Sequence, residues 1–150
     1  MAKKRRRSKS RVPPEPWEIR YFRRHPDDDP EQRVPAQEFR RACPAKVRAE
    51  IDATHHAAAA GPPPRFKGGL RWQPMHGDMT GWFEVRVQGS GRLYRVFCLL
   101  EREAEGLLGP SIVLITGLWK ASETSFSKAD YARVRGLGTE YRARSPRSVI

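Results

Sequence analysis

The stretch GWFEVRVQGSGRLYRVF, residues 81–97, decides the fold of this chain. Two runs rich in valine and aromatic residues alternate apolar with polar side chains, and Gly89, Ser90 and Gly91 separate them. Glycine tolerates the positive φ angles that a tight hairpin turn requires. The pattern therefore predicts a β-hairpin whose two-residue turn is Ser90 and Gly91.

The predicted turn fixes which side chains of the hairpin face each other. Val85 lies opposite Val96 on an apolar face. On the other face Arg86 lies opposite Arg95, and two like charges in that position repel each other. An anion between the guanidinium groups would remove the repulsion. Alternatively, both side chains splay apart on a solvated face, or the register slips by one residue and separates them across the sheet.

Length and charge favour one basic domain with a polyanionic partner. The chain has 150 residues, with 29 lysines and arginines against 17 aspartates and glutamates, which gives a formal net charge of +12. A chain of this length most often forms a single domain. Nucleic acid is the commonest partner of so basic a protein, although an acidic protein would also fit.

Residues 1–16 are predicted to form a disordered basic arm. Lysines and arginines dominate the first eleven residues, which contain no aromatic residue. Such a segment cannot bury enough apolar surface to offset the entropy lost on ordering it. The arm could bind phosphates without sequence preference, or it could merely keep the protein soluble.

The sequence predicts a cytoplasmic protein without a metal site. No apolar stretch follows the basic residues as in a secretion signal, and the longest apolar runs fall short of the ~20 residues of a transmembrane helix. Cys43 and Cys98 are therefore expected to be reduced thiols. The histidines show no metal-ligand spacing with the cysteines.

Outside the hairpin, the sequence predicts further strands and three helices. A partly alternating strand precedes two helices, the second of which ends at Gly61 and a run of prolines. Ser127, with Asp130 three residues later, caps a terminal helix. The predicted bounds are 17–22 for the first strand, 35–42 and 44–60 for the two helices, 111–119 for a buried apolar strand, 127–144 for the terminal helix and 145–150 for a disordered tail. The fold class is therefore α+β.

A basic segment with interleaved aromatic residues, 65–76, precedes the hairpin. Its composition suits contacts with RNA phosphates and stacking on bases, although an ordinary glycine-rich connection can look the same. The candidate RNA-binding residues are Lys67, Arg71 and Trp72 from this segment, with Arg92 in the hairpin and Lys128 in the terminal helix.

Three short motifs carry a resemblance to a known family by their order and spacing. They are GWFEVR at 81–86, YRVF at 94–97 and IVLITGLWK at 112–120, followed by a polar Ser/Thr segment and a helix. With them, residues 17–144 resemble the RelE/HigB-type toxin superfamily, most of all its phage-derived HigB-like branch. The resemblance implies a small α+β domain in which an antiparallel sheet packs against an N-terminal helical hairpin, with a C-terminal helix.

For function, the resemblance implies the toxin of a type II toxin-antitoxin pair. Such toxins are metal-independent endoribonucleases (mRNA interferases) that cut messenger RNA, usually on the ribosome, and a protein antitoxin silences them. The partners implied here are mRNA, the ribosome and an antitoxin of helix-turn-helix type, and no cofactor is implied.

The resemblance also implies roles for individual residues. By position, Arg86 is similar to a residue that holds the RNA backbone, and Arg95 is similar to one near the scissile phosphate. Lys120 is similar to a cationic residue at the end of the third strand. Two positions depart from other branches of the superfamily. Glu84 stands at a lysine-like position, as in the HigB-like branch, and Phe126 stands where some relatives have a tyrosine that acts as base.

Cleavage by the ribose 2′-hydroxyl needs a base, cations that stabilise the phosphorane and an acid for the leaving oxygen. Arg86 and Arg95 can hold the phosphate, since a guanidinium binds phosphate in a bidentate manner. His76 and Glu84 are the nearby groups suited to a general base, and Lys120 could donate a proton if its pKa falls. His76 can equally be structural, and Glu84 can equally be a salt-bridge partner of Arg86.

Two other functions remain open. The same fold hosts ParE-like gyrase inhibitors, which bind a protein and need no RNA-cutting residues. The presence of Arg86, Arg95 and Lys120 argues against that function without excluding it. The second alternative is a non-enzymatic nucleic-acid-binding protein in which the basic arm does most of the binding.

Overall fold

The computed structural model describes residues 15–63, 66 and 69–150. These residues form five strands and three α-helices: β1 (Glu18–Tyr21), α1 (Pro35–Ala42), α2 (Ala45–Ala60), β2 (Trp72–Pro74), β3 (Trp82–Gly89), β4 (Arg92–Glu101), β5 (Ser111–Ala121) and α3 (Lys128–Arg142). Short 3-10 helices precede β2 and β3. None of the three helices is long and apolar enough to cross a membrane. Most of the predicted basic arm, residues 1–14, and the candidate Lys67 lie outside the described residues.

The α+β class is confirmed, but the sheet is mixed rather than antiparallel. The strand order is β1-β5-β4-β3-β2. β1 pairs with β5 in parallel, and the other neighbouring pairs are antiparallel. A parallel pair needs a long connection, which α1, α2 and the strands between β1 and β5 provide. The prediction of an antiparallel sheet is therefore wrong at β1. The finer RelE/HigB-like arrangement, with its helical hairpin, stays a prediction.

The β3–β4 hairpin has the register that its sequence predicts. Ser90 and Gly91 form the turn with φ angles of 51° and 71°. Arg86 pairs directly with Arg95 across the two strands. Because directly opposed residues point to the same side of a sheet, both arginine side chains lie on one face.

The first face of the sheet packs against α1 and α2. Val85, Val96 and Leu114 belong to this apolar core, and Val47 and Ile51 contribute the buried stripe of α2. The four-residue spacing of Val47 and Ile51 places them on one side of the helix. This face therefore forms the larger part of the core.

The second face carries α3 at one end and charged side chains at the other. Val134 and Tyr141 of α3 share an apolar cluster with Trp82 and Phe97 of the sheet. Arg86 lies on the same face as Trp82, closer to the hairpin turn, and its side chain is 39% exposed. The predicted division into one core face and one arginine face therefore holds only near the turn, because α3 buries the remainder of the second face.

The C-terminal residues pair with β1 instead of forming the disordered tail that the sequence predicts. The backbone N–H of Tyr21 donates to Ile150, and the N–H of Ile150 donates back to Tyr21. Phe22 forms an isolated bridge with Val149. These bonds satisfy backbone groups on the outer side of β1 that would otherwise be unpaired. The segment was too short to show any periodicity in the sequence.

Two glycines of α3 provide a matched test of its packing. A Cβ atom at Gly138 would overlap the indole of Trp82, whereas one at Gly136 would have no neighbour within 4 Å. Gly136→Ala should raise the free energy of unfolding by up to ~1 kcal/mol, because alanine favours the helix. Gly138→Ala should lower it by about 1–3 kcal/mol, because the overlap forces the core to shift. Denaturant unfolding measures both, and equal effects would contradict this packing.

Candidate functional site

Glu84, Arg86 and Arg95 converge near the hairpin turn on the second face, and we call them the arginine site. Glu84 and Arg86 come from β3, and Arg95 comes from β4. The Nε atom of Arg86 lies 3.6 Å from one carboxylate oxygen of Glu84. The Nε atom of Arg95 lies 3.8 Å from the other. One carboxylate therefore offsets the repulsion that the sequence predicts between the two arginines.

Burial sets the electrostatics of the arginine site. The side chains of Arg95 and Glu84 are only 9% and 14% exposed. Burial raises the pKa of Glu84, and the charges of Arg95 and Arg86 oppose that shift. Burial and then the charge of Arg86 lower the pKa of Arg95, but a guanidinium remains charged at neutral pH. With Glu84 ionised, the site has one net positive charge in partly dry surroundings.

The two guanidinium groups retain hydrogen-bond donors that a ligand can use. Their ion-pair distances to Glu84 exceed those of a hydrogen bond. Within the described part of the chain, the one hydrogen bond from either group is a 3.4 Å contact from Arg95 to the backbone oxygen of Tyr94. A pair of arginines with open donors can bind several oxygens of one phosphate. The geometry therefore suits an anion of phosphate type.

A cleft of about 370 Å³ adjoins the arginine site and brings in a third arginine. Arg86, Arg95 and Arg71 all line this cleft. Arg71 precedes β2, and its guanidinium lies 3.8 Å from Glu50 of α2. The structure therefore places the predicted RNA-binding residue Arg71 beside the predicted catalytic arginines. Several cations along one cleft suit a chain of phosphates better than a single small anion.

Lys120 lies on the same sheet face, but the loop before α3 holds its ammonium group. The ammonium contacts the backbone oxygen of Ser125, lies 3.2 Å from the carboxylate of Asp130 and sits 4.5 Å from the ring of Phe126. Asp130 also forms the predicted capping box with Ser127. The backbone N–H of Ser127, ahead of Lys120, lowers the pKa of Asp130 to about 2. Lys120 therefore fixes the start of α3, and a catalytic role would require these contacts to break.

Tyr131 of α3 is a site residue that none of the sequence motifs indicates. Its ring lies 6.1 Å from that of Phe97, edge to face, and 6.1 Å from that of Phe126. Phe97 pairs with Glu84 across the hairpin, so Tyr131 borders the arginine site. Burial and then the charge of Glu84 raise the pKa of its hydroxyl, which therefore stays protonated. Its place in the first turn after the Ser127 cap was the available signal.

His76 and Lys128 lie in a second depression beside the arginine site. It has a volume of about 620 Å³, and we call it the methionine groove after Met75 and Met79, which line it together with Tyr131. The groove lies between the segment that precedes β3 and the start of α3. The structure therefore places His76 and Lys128 on one groove, and neither residue lines the cleft that holds Arg86 and Arg95.

Two predicted RNA-binding residues lie away from the arginine site. Trp72 is 3% exposed and stacks on Phe83 with 5.2 Å between ring centroids. A buried indole cannot stack on a base, so the prediction that Trp72 binds RNA is wrong. Its ring packs in the apolar core instead. The guanidinium of Arg92 lies 4.0 Å from the ring of Trp119, on the sheet face opposite to that of Arg95.

The buried cysteine and histidine of the core do not form a nucleophilic pair. Cys98 Sγ lies 3.9 Å from His55 Nε2, and both residues are buried. Burial raises the pKa of the Cys98 thiol and lowers the pKa of His55 to about 4. The thiol stays protonated and unreactive at neutral pH. No cluster of three or more His, Cys, Asp or Glu side chains in the described residues could hold a metal ion.

Comparison of the chain with protein-family models, with curated proteins and with solved structures finds no match. The resemblance to RelE/HigB-type toxins therefore stays a prediction.

The pH dependence of protein stability tests whether the pKa of Glu84 is raised in the folded state. Because its folded-state pKa is raised above the ordinary 4.5, the folded protein holds this proton after the unfolded chain has lost it. The contribution of Glu84 to the free energy of unfolding therefore falls as pH rises from about 4.5 through the raised value. Glu84→Gln removes this titration.

Denaturant unfolding of wild type and Glu84→Gln across that pH window measures the effect. The wild-type free energy of unfolding minus that of the variant should decrease as pH rises and then level off. Glu123→Gln, in an exposed loop, is the matched control. A difference that increases with pH would mean that pairing with the arginines outweighs the burial of Glu84.

Proposed function

We propose that this protein is a metal-independent endoribonuclease that acts as the toxin of a type II toxin-antitoxin pair. The observation that supports the proposal is the arginine site, where Arg86 faces Arg95 with Glu84 between them. Two guanidinium groups on neighbouring strands can hold the non-bridging oxygens of one phosphodiester. The formal net charge of +12 favours association with RNA.

The proposed reaction is attack by the ribose 2′-hydroxyl on the adjacent phosphorus. The 2′-oxygen forms a new P–O bond, its proton passes to Glu84, and the bond from phosphorus to the 5′-oxygen breaks. A buried carboxylate with a raised pKa is a better base than an exposed one. Arg86 and Arg95 stabilise the charge that develops on the phosphorane. Tyr131, whose hydroxyl stays protonated, donates to the 5′-oxygen, and exchange with water resets both groups.

The proposed partners follow from the resemblance and from the charge of the chain. They are messenger RNA on the ribosome and an antitoxin of helix-turn-helix type. An antitoxin that covers the arginine site with acidic side chains would compete directly with RNA phosphates. Silencing would then need no change in the structure of the toxin.

A second candidate function is RNA binding without cleavage. The observation that favours it is the engagement of Lys120 by Asp130 and Ser125, which leaves the proposed reaction with one cation fewer than the resemblance implies. Glu84 would then serve only to balance the charges of Arg86 and Arg95. The two functions differ in whether bound transcripts are cut.

Substitution of the arginines tests the nuclease directly. Induced wild-type protein should arrest growth and cut transcripts during translation. Arg86→Ala and Arg95→Lys should each reduce cleavage by about 10²–10³-fold, the usual loss when one donor to a developing oxyanion is removed. Lysine at position 95 keeps a charge beside Glu84, so the fold is retained. Primer-extension mapping of transcript ends measures cleavage, and Arg41→Ala, at an exposed position of α1, is the control.

If both arginine variants cleaved transcripts as fully as wild type, the arginine site would have no part in the reaction. Growth arrest with intact transcripts would exclude the nuclease altogether. In that case, altered DNA supercoiling would favour the gyrase inhibitor, and unaltered supercoiling would favour a protein that only binds RNA.

Glu84→Gln separates a base from a counter-ion. If Glu84 accepts the 2′-hydroxyl proton, cleavage should fall by about 10²–10⁴-fold. Affinity for a 2′-O-methyl RNA, which cannot be cut by this route, should rise because a negative charge beside the phosphate is removed. Fluorescence anisotropy measures the affinity. Retained cleavage by the variant would show that Glu84 only balances charge.

A further inference from the structure

The side chains that line the methionine groove are suited to contact with a planar ring. Met75 and Met79 line it from the segment before β3, and Ala129, Tyr131 and Ala132 line it from α3. Methionine sulfur is polarizable and contacts aromatic rings favourably. A tyrosine ring next to small alanine side chains leaves room for a planar group. The groove therefore suits a flat, aromatic ligand.

Charged side chains at the groove add the features of a nucleotide site. Lys128, Arg135, His76 and Asp78 all line it. Arg135 donates to the sulfur of Met79 at 3.7 Å, and neither Lys128 nor Arg135 forms an ion pair with another described residue. The two cations can attract a phosphate, while Asp78 can accept hydrogen bonds from the exocyclic amino group of a base.

Tyr131 connects the groove to the arginine site. Its ring lies 6.1 Å from the ring of Phe97, and Phe97 pairs with Glu84. A nucleotide chain with its phosphate at the arginine site therefore has a neighbouring base within reach of the groove, past Tyr131. The volume of about 620 Å³ is ample for one base and its ribose.

We propose that the methionine groove binds the nucleobase next to the phosphate held by the arginine site. This inference rests on the proposed function. A base within a duplex is stacked and paired, whereas a base in a single strand can turn out and enter a groove. The groove then adds a base contact to a site that otherwise reads only the phosphate backbone.

Two probes of equal length and charge test the groove with the full-length protein. One is a labelled 2′-O-methyl RNA, and the other is the same oligomer without bases. Because both carry the same phosphates, binding by basic residues elsewhere cancels in their ratio. Wild type should bind the base-bearing probe about tenfold more tightly, as expected for one stacked base. Fluorescence anisotropy at fixed salt measures both affinities.

The double variant Ala129→Leu/Ala132→Leu fills the groove at exposed helix positions. It should bring the ratio close to one without changing affinity for the base-free probe. Thr139→Leu, at an exposed position of the same helix outside the groove, is the matched control and should retain the ratio. Thermal unfolding of both variants should match that of wild type within a few degrees.

The outcomes separate this inference from the proposed function. Equal wild-type affinities for the two probes, or a ratio that persists in the double variant, would overturn the groove as a base site. If Arg86→Ala left the affinity for the base-free probe unchanged, the proposed phosphate site would be overturned instead. Failure to bind either probe would overturn both.

Discussion

The pairing of two like charges across the β3–β4 hairpin is the constraint on which the site depends. Arg86 and Arg95 lie opposite each other because the turn at Ser90 and Gly91 fixes the register. A slip of one residue would turn an arginine toward the face covered by α1 and α2, where an unpaired charge is costly to bury. The carboxylate of Glu84 offsets the repulsion between the two guanidinium groups, and burial raises the pKa of Glu84. An arrangement of this kind is stabilised further when an anion binds.

The packing beneath α3 holds that charged patch in place. Trp82 packs closely against Gly138, and Phe97 packs edge to face with Tyr131. Trp82 precedes Glu84 on its strand, and Phe97 lies opposite Glu84 on the neighbouring strand, so both anchors flank the carboxylate. The ion pair between β5 and the start of α3 adds a third attachment. Donors held on a rigid frame need little reorganisation when charge develops on a bound phosphate.

Local pattern explains what could be predicted from the sequence. The alternation in β3 and β4, the glycine-rich turn and the capping box of Ser127 and Asp130 each depend on neighbouring residues, and the structure confirms all three. The opposition of Arg86 and Arg95 followed from the turn alone. These features need no knowledge of how distant elements meet.

Tertiary packing explains what could not be predicted. The parallel pairing of β1 with β5 joins segments far apart in sequence. The position of Tyr131 depends on how α3 crosses the sheet, which no local pattern encodes. Composition marks Trp72 as an aromatic residue and Lys120 as a cation, but only packing decides that the first is buried and that the second is engaged by Asp130.

A double-mutant cycle on RNA affinity tests most directly whether Arg86 and Arg95 hold the same phosphate. Affinities of wild type, Arg86→Ala, Arg95→Lys and the double variant for an uncleavable 2′-O-methyl RNA would be compared at one salt concentration. We predict a coupling free energy of about 0.5–3 kcal/mol, as for residues that share one partner. Losses that add within about 0.3–0.5 kcal/mol would show that the two guanidinium groups bind separately and would contradict a shared phosphate site.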